Sequence, residues 1–137
     1  MRKFFPVLLL LILVIACNKQ KALKQDIAGV WQVYKYTVHG FDATAQFDSL
    51  HPGYTITFTN NGQFIESDTN RSILFANAGT YTFKDNNQVL ALIDSASVQI
   101  DTITVLGLRE RDYTLFDLNK QTVQLVTDSS DTYMSKK

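Results

Sequence analysis

Hydrophobic positions follow two patterns along this chain. Phe4 to Ile15 is an apolar run interrupted only by Pro6, whereas from Gly29 onward apolar and polar residues tend to alternate. The clearest case is Tyr54-Thr55-Ile56-Thr57-Phe58-Thr59, with Tyr54, Ile56 and Phe58 on one face and three threonines on the other. That is the period of a strand with one buried face. Asn60-Asn61-Gly62 supplies residues that tolerate positive φ in a tight hairpin, and Gln63 to Asp68 returns as the partner strand. Gly79-Thr80-Tyr81-Thr82-Phe83 resumes the alternation, and Lys84-Asp85-Asn86-Asn87 turns the chain.

Val30 to Val38, rich in β-branched and aromatic residues, reads as the first strand, with Phe41 to Gly53 a polar, aromatic-dotted loop after it. Gln88 to Asp94, Val98 to Gly107, Tyr113 to Leu118 and Thr122 to Thr127 bring the strands to about eight. Ile100 and Ile103 fall out of phase, which predicts a bulge or bend near Asp101. Arg109-Glu110-Arg111-Asp112 reads as a solvated hairpin turn. The tail, 129–137, either adds a short edge segment around Thr132-Tyr133-Met134 or stays loose. Short strands with frequent turn signals, and no helix-length segment between them, predict an antiparallel all-β sandwich or barrel.

The apolar run at the start has a different meaning. Roughly a dozen residues do not span a bilayer, which takes about 20 in a helix. Behind Arg2 and Lys3 the run suits the core of a secretory signal, with small Ala16 before the cut. Val14-Ile15-Ala16-Cys17 resembles the lipobox of bacterial lipoproteins. That resemblance implies cleavage after residue 16, lipidation of Cys17 and anchorage at a membrane. Durable attachment needs more than one acyl chain. Surface lipoproteins of Bacteroidetes tend to carry acidic residues after the cysteine. Asn18-Lys19-Gln20-Lys21 is basic, so the resemblance implies an outer-membrane anchor with the domain facing the periplasm. Residues 17–28 read as a polar tether, with room for a helical turn around Ala22 to Ile27 and little contribution to a core.

Cleavage leaves 121 of 137 residues, carrying 11 basic and 13 acidic groups. A net charge of −2 gives no electrostatic case for nucleic acid. Cys17 is the one cysteine, so lipidation leaves no thiolate for a disulfide, a zinc site or a nucleophile.

Ile27-Ala28-Gly29-Val30-Trp31 carries an Ile-x-Gly-x-Trp start that resembles the first strand of lipocalin-like domains. Together with Ile56 to Phe64 and Gly79 to Phe83, behind a lipobox, it is similar to the small lipocalin-like lipoproteins common in Bacteroidetes. The resemblance covers roughly residues 27–127. It implies an up-and-down barrel over 29–128, with Trp31 plugging one end and Gly29 letting the chain pass closely beneath. The second motif of transport lipocalins, Thr-Asp-Tyr, is absent, although Arg109 to Tyr113 contains Asp112-Tyr113.

Little catalytic chemistry is visible. Asp48-Ser49-Leu50-His51 holds three catalytic residue types in one segment without a nucleophile elbow, and neither His39 nor His51 sits in a spaced metal motif. The sequence calls for no metal, no cofactor and no enzyme. Asp48-Ser49-Leu50 and Asp94-Ser95-Ala96 resemble the Asp-Ser/Thr-aliphatic acceptor of Bacteroides periplasmic O-glycosylation, as does Asp101-Thr102-Ile103, which makes Ser49 and Ser95 candidate acceptors.

The expected function is binding of a small apolar ligand or lipid, walled by Trp31, Ile56, Phe58, Phe64, Tyr81 and Phe83. The same rings are large enough to fill an eight-stranded barrel. A packed barrel would act instead as an interaction or inhibitor module for an envelope protein, through Phe41, Phe47 and Ile73 to Phe75 in the loops.

Overall fold

The computed structural model describes residues 19–69, 78–100 and 103–137, by backbone alone at 96–100 and 103–108. The expected signal segment, Cys17, Ile73 to Phe75, Asp101 and Thr102 lie outside the described residues.

Eight strands close into an antiparallel barrel. β1 (Gly29–Val38) is followed by β3 (Thr55–Phe58), β4 (Gln63–Ser67), β5 (Ala78–Lys84) and β6 (Val89–Ile100). β7 (Ile103–Phe116), β8 (Thr122–Val126) and β9 (Ser130–Lys136) complete the circuit. Strands neighbour one another in chain order, and β1 pairs with both β3 and β9 to close the ring. A two-residue strand, β2 (Phe41–Asp42), adds to the end of β1. The fold is the predicted up-and-down barrel.

The eighth strand does not come from where the pattern put it. Val98 to Gly107 is not one bulged strand: β6 ends at Ile100, β7 begins at Ile103, and the two pair in register as a hairpin. The phase break between Ile100 and Ile103 therefore marks a reversal of the chain. Arg109 to Asp112 is not the turn; it lies within β7, opposite Ala91 to Asp94. The tail is neither loose nor an edge, because Ser130–Lys136 fills the gap between β8 and β1.

The tether also differs from expectation. Residues 19–27 form a helix, α1, built from good helix formers such as Lys, Gln, Ala and Leu. Leu23 and Ile27, four apart on one face, turn toward the barrel, and Ile27 is fully buried in the core. The chain then swings into β1 through Gly29 at φ +135°, a conformation that side chains rarely adopt.

Phe41 to Gly53 is more ordered than a loop. It holds β2 and a short helix, α2 (Thr44–Leu50), whose first backbone N–H is taken by Asp42 Oδ1 at 2.9 Å. α1 sits by the start of β1 and α2 by its far end, so they flank opposite ends of the barrel. The half next to α1 is solid. Trp31, Phe58 and Phe64 are at most 2% exposed, and Phe58 meets Tyr81 edge-on at 5.1 Å.

Candidate functional site

Above that packed half the barrel opens. A cavity of about 260 Å³ lies between the core and α2. Its floor is apolar, formed by Ile56, Leu92, Leu125 and Met134 from four strands. Tyr36, Phe47 and His51 stand at its mouth. Phe47 projects from α2 and contacts Tyr36 at 4.9 Å, His51 at 5.1 Å and Tyr54 at 5.4 Å between ring centroids. His51 is fixed further by Asp68, whose Oδ2 lies 2.9 Å from its Nδ1.

One wall is polar, and it is unexpected in a barrel core. Arg111 on β7 bridges two carboxylates. Its Nη1 donates to Glu66 Oε1 at 3.0 Å and to the Tyr113 hydroxyl at 3.3 Å, and its Nη2 donates to Asp94 Oδ1 at 2.7 Å. The Tyr54 hydroxyl donates to the same Glu66 oxygen at 2.9 Å. Glu66 and Asp94 are 6% and 8% exposed, so these charges are held where water barely reaches. Burial alone would cost them dearly; the charge-assisted hydrogen bonds offset that cost. The Arg111 guanidinium also lies 5.9 Å above the Phe64 ring, a cation–π contact that joins the polar wall to the packed aromatics.

Ionisation follows from this packing. Burial works against the charge on Arg111, but its hydrogen bonds to Glu66 and Asp94 more than compensate and hold its pKa above the ordinary value. The Tyr54 phenol is pushed well up, by burial first and then by the adjacent Glu66 charge. Tyr113 is raised as well, by burial, with Arg111 pulling the other way. Both phenols are therefore neutral hydroxyls at physiological pH.

The six residues expected to wall a pocket are all buried, but they divide. Ile56 lines the cavity. Phe64 lies beneath Arg111, and Trp31, Phe58, Tyr81 and Phe83 belong to the packed half. The Tyr81 hydroxyl is used internally, donating to the Thr59 carbonyl at 2.6 Å. Ser49, on α2, and Ser95, on β6, are both exposed. Phe41 is 79% exposed, whereas Phe47 is drawn into the mouth. Among the described residues no group of three or more His, Asp and Glu side chains is arranged to hold a metal.

Sequence reasoning passed over Glu66, Asp94, Arg111, Tyr54 and Tyr113 as site residues. A signal was present. Glu66 shares the phase of Phe64, Asp94 that of Leu90 and Leu92, and Arg111 that of Tyr113 and Leu115. Three charges at inward positions, on β4, β6 and β7, are the mark of a buried polar cluster.

The architecture has a solved counterpart. The crystal structure of a lipocalin-like protein from Bacteroides uniformis superposes with a TM-score of 0.53 at 14% identity, covering 82% of this chain and 99% of that one. The fold is therefore lipocalin-like. No family model matches the chain, and no curated protein matches it either.

Proposed function

We propose that this chain is a lipid-anchored, non-catalytic binding module of the cell envelope that holds a small, largely apolar ligand in its barrel. The observation that carries the reading is the cavity of about 260 Å³, apolar at its floor and open beside α2. A cavity with apolar walls and a few convergent polar groups is the usual form of a small-molecule site. Anchorage follows from the lipobox-like Val14 to Cys17, and the basic residues after it favour the outer membrane with the domain toward the periplasm.

Two experiments test the proposal. Cys17→Ser abolishes membrane fractionation of the processed protein; a mature-sized species that still pellets with membranes refutes the anchor. For binding, the mature chain (residues 17–137) carrying Cys17→Ser is titrated with an environment-sensitive apolar dye. The native cavity binds it, and Leu125→Trp, which fills the floor, does not. A folded native chain that takes up no dye refutes the binding module.

A second reading rests on one observation. Phe41 on β2 and Leu50 at the end of α2 are large apolar side chains left 79% and 60% exposed. An envelope protein that cross-links to this face and loses contact on Phe41→Ser would make the chain an interaction module.

A further inference from the structure

Resting on the binding reading above, we propose that the cavity takes a compact, ring-bearing molecule with an acceptor oxygen, not a long acyl chain. The Tyr113 hydroxyl is the donor that recognises that oxygen.

Size comes first. A water molecule's share of liquid volume is about 30 Å³, so a cavity of about 260 Å³ holds roughly nine waters, or a ligand of about ten non-hydrogen atoms. The floor cannot deepen cheaply. Trp31, Phe58 and Phe64 lie in the packed half beneath it, with exposures of 0%, 2% and 0%. A sixteen-carbon chain entering from the mouth would leave much of its length in water, forgoing the gain that burying those methylenes would give.

Shape comes second. Tyr36, Phe47 and Tyr54 contribute rings to one side of the cavity, with Phe47 and Tyr54 already edge-to-face at an interplanar angle of 82°. Rings set this way extend their offset and edge contacts to another ring more readily than to a flexible chain.

Hydrogen bonding comes third. Within the Arg111 cluster Nη1 and Nη2 donate to Glu66, Tyr113 and Asp94, and the Tyr54 hydroxyl donates to Glu66, while the Arg111 Nε–H has no partner among the described residues but is sealed away from solvent. Tyr113 is different. Its oxygen accepts from Arg111, and among the described residues no acceptor takes its proton. A phenol that accepts from a guanidinium is a better donor for it, because the bonds polarise one another. Tyr113 lines the cavity, so that proton is available to a carbonyl, ether or hydroxyl oxygen of the ligand.

The test uses two probes with the same number of non-hydrogen atoms, acetophenone and isopropylbenzene, of which the first alone carries an acceptor oxygen. They are titrated calorimetrically into the mature chain carrying Cys17→Ser, with palmitate as the long-chain comparison. Acetophenone binds about five- to tenfold more tightly than isopropylbenzene, the ratio one neutral hydrogen bond supplies. Tyr113→Phe removes the difference by weakening acetophenone alone. Should that variant not fold, the Tyr113 Cζ resonance of the native side chain decides, moving with acetophenone and not with isopropylbenzene. Equal affinities, or an advantage that survives Tyr113→Phe, overturn the Tyr113 assignment and leave the binding module standing. Tighter binding of palmitate than of either ring overturns the ligand class. Failure of all three probes overturns the inference and the binding reading together.

Discussion

The indole Nε1–H of Trp31 donates to the Ile27 carbonyl at 2.6 Å, and both residues are fully buried. This bond ties the end of α1 to the first strand, so residues 19–27 are part of the folded unit. Lys136 from the last strand reinforces the junction. Its Nζ lies 5.0 Å from the Trp31 ring centroid and donates to the Asp26 carbonyl at 2.9 Å. First strand, last strand and leading helix thus meet on one side chain.

Trp31→Ala is accordingly expected to destabilise the domain by about 3–5 kcal/mol, the usual cost of emptying a large aromatic site. Trp31→Phe restores part of the volume but leaves the Ile27 carbonyl without its donor, so it recovers only part of the loss. Urea denaturation measures both. A loss below about 1 kcal/mol for Trp31→Ala would remove Trp31 from the core.

Much of the fold is legible in the sequence because alternation is a local property. Tyr54 to Thr59 and Gly79 to Phe83 announce their buried faces residue by residue. What is not legible is where a long alternating stretch reverses. At residues 98–107 a bulge and a hairpin both break the phase, and only the pairing of Ile100 with Ile103 separates them. The tail is ambiguous in sequence for another reason. Ser130–Lys136 buries one large side chain, Met134, and its place is set by the free edges of β1 and β8. As for the site, the aromatic positions could be read as inward, but not whether they would wall a space or fill it. Charges at inward phase look like surface residues until the strand's register is known. Arg111, set in a run of alternating charges, reads as part of a turn for that reason.

Gly79 tests the register between β4, β5 and β6. A Cβ at this position would lie 1.9 Å from the Ile93 carbonyl oxygen and 3.1 Å from the Phe64 ring, one fixed by backbone and the other by the core. Neither neighbour can give way easily. Gly79→Ala should therefore cost at least about 2 kcal/mol by overpacking. An unchanged midpoint in chemical denaturation would mean that the strands do not approach as described.

Arg111 is expected to matter for stability as well as for the cavity. Arg111→Met keeps an unbranched apolar stem but leaves Asp94, 8% exposed, without the guanidinium it bonds at 2.7 Å. Breaking a buried ion pair from one side typically costs about 3–5 kcal/mol, far more than the net value of the pair. Pairing Arg111→Met with Asp94→Leu should recover part of that loss, since it removes the stranded Asp94 charge, while Glu66 keeps its hydrogen bond from the Tyr54 hydroxyl. Thermal and urea unfolding of the single and double variants measure the coupling. A single variant as stable as the native chain would show that water reaches this wall freely.

Tyrosine ionisation offers a test that needs no mutation. Burial raises the pKa of Tyr81 to about 12, and raises Tyr54 and Tyr113 from the usual value near 10, with Glu66 adding to the effect at Tyr54. A raised folded-state pKa means that the native chain holds these protons more tightly than the unfolded chain. The resulting stability is fully present below pH 10 and falls as the pH climbs from 10 toward 12 and beyond. Unfolding free energy measured between pH 8 and 12 should hold steady at first and then decline. Over the same range, tyrosinate absorbance of the native chain should lag behind that of the chain in guanidinium. Coincident titration curves would mean that Tyr54, Tyr81 and Tyr113 are open to solvent, and with them the space beneath α2.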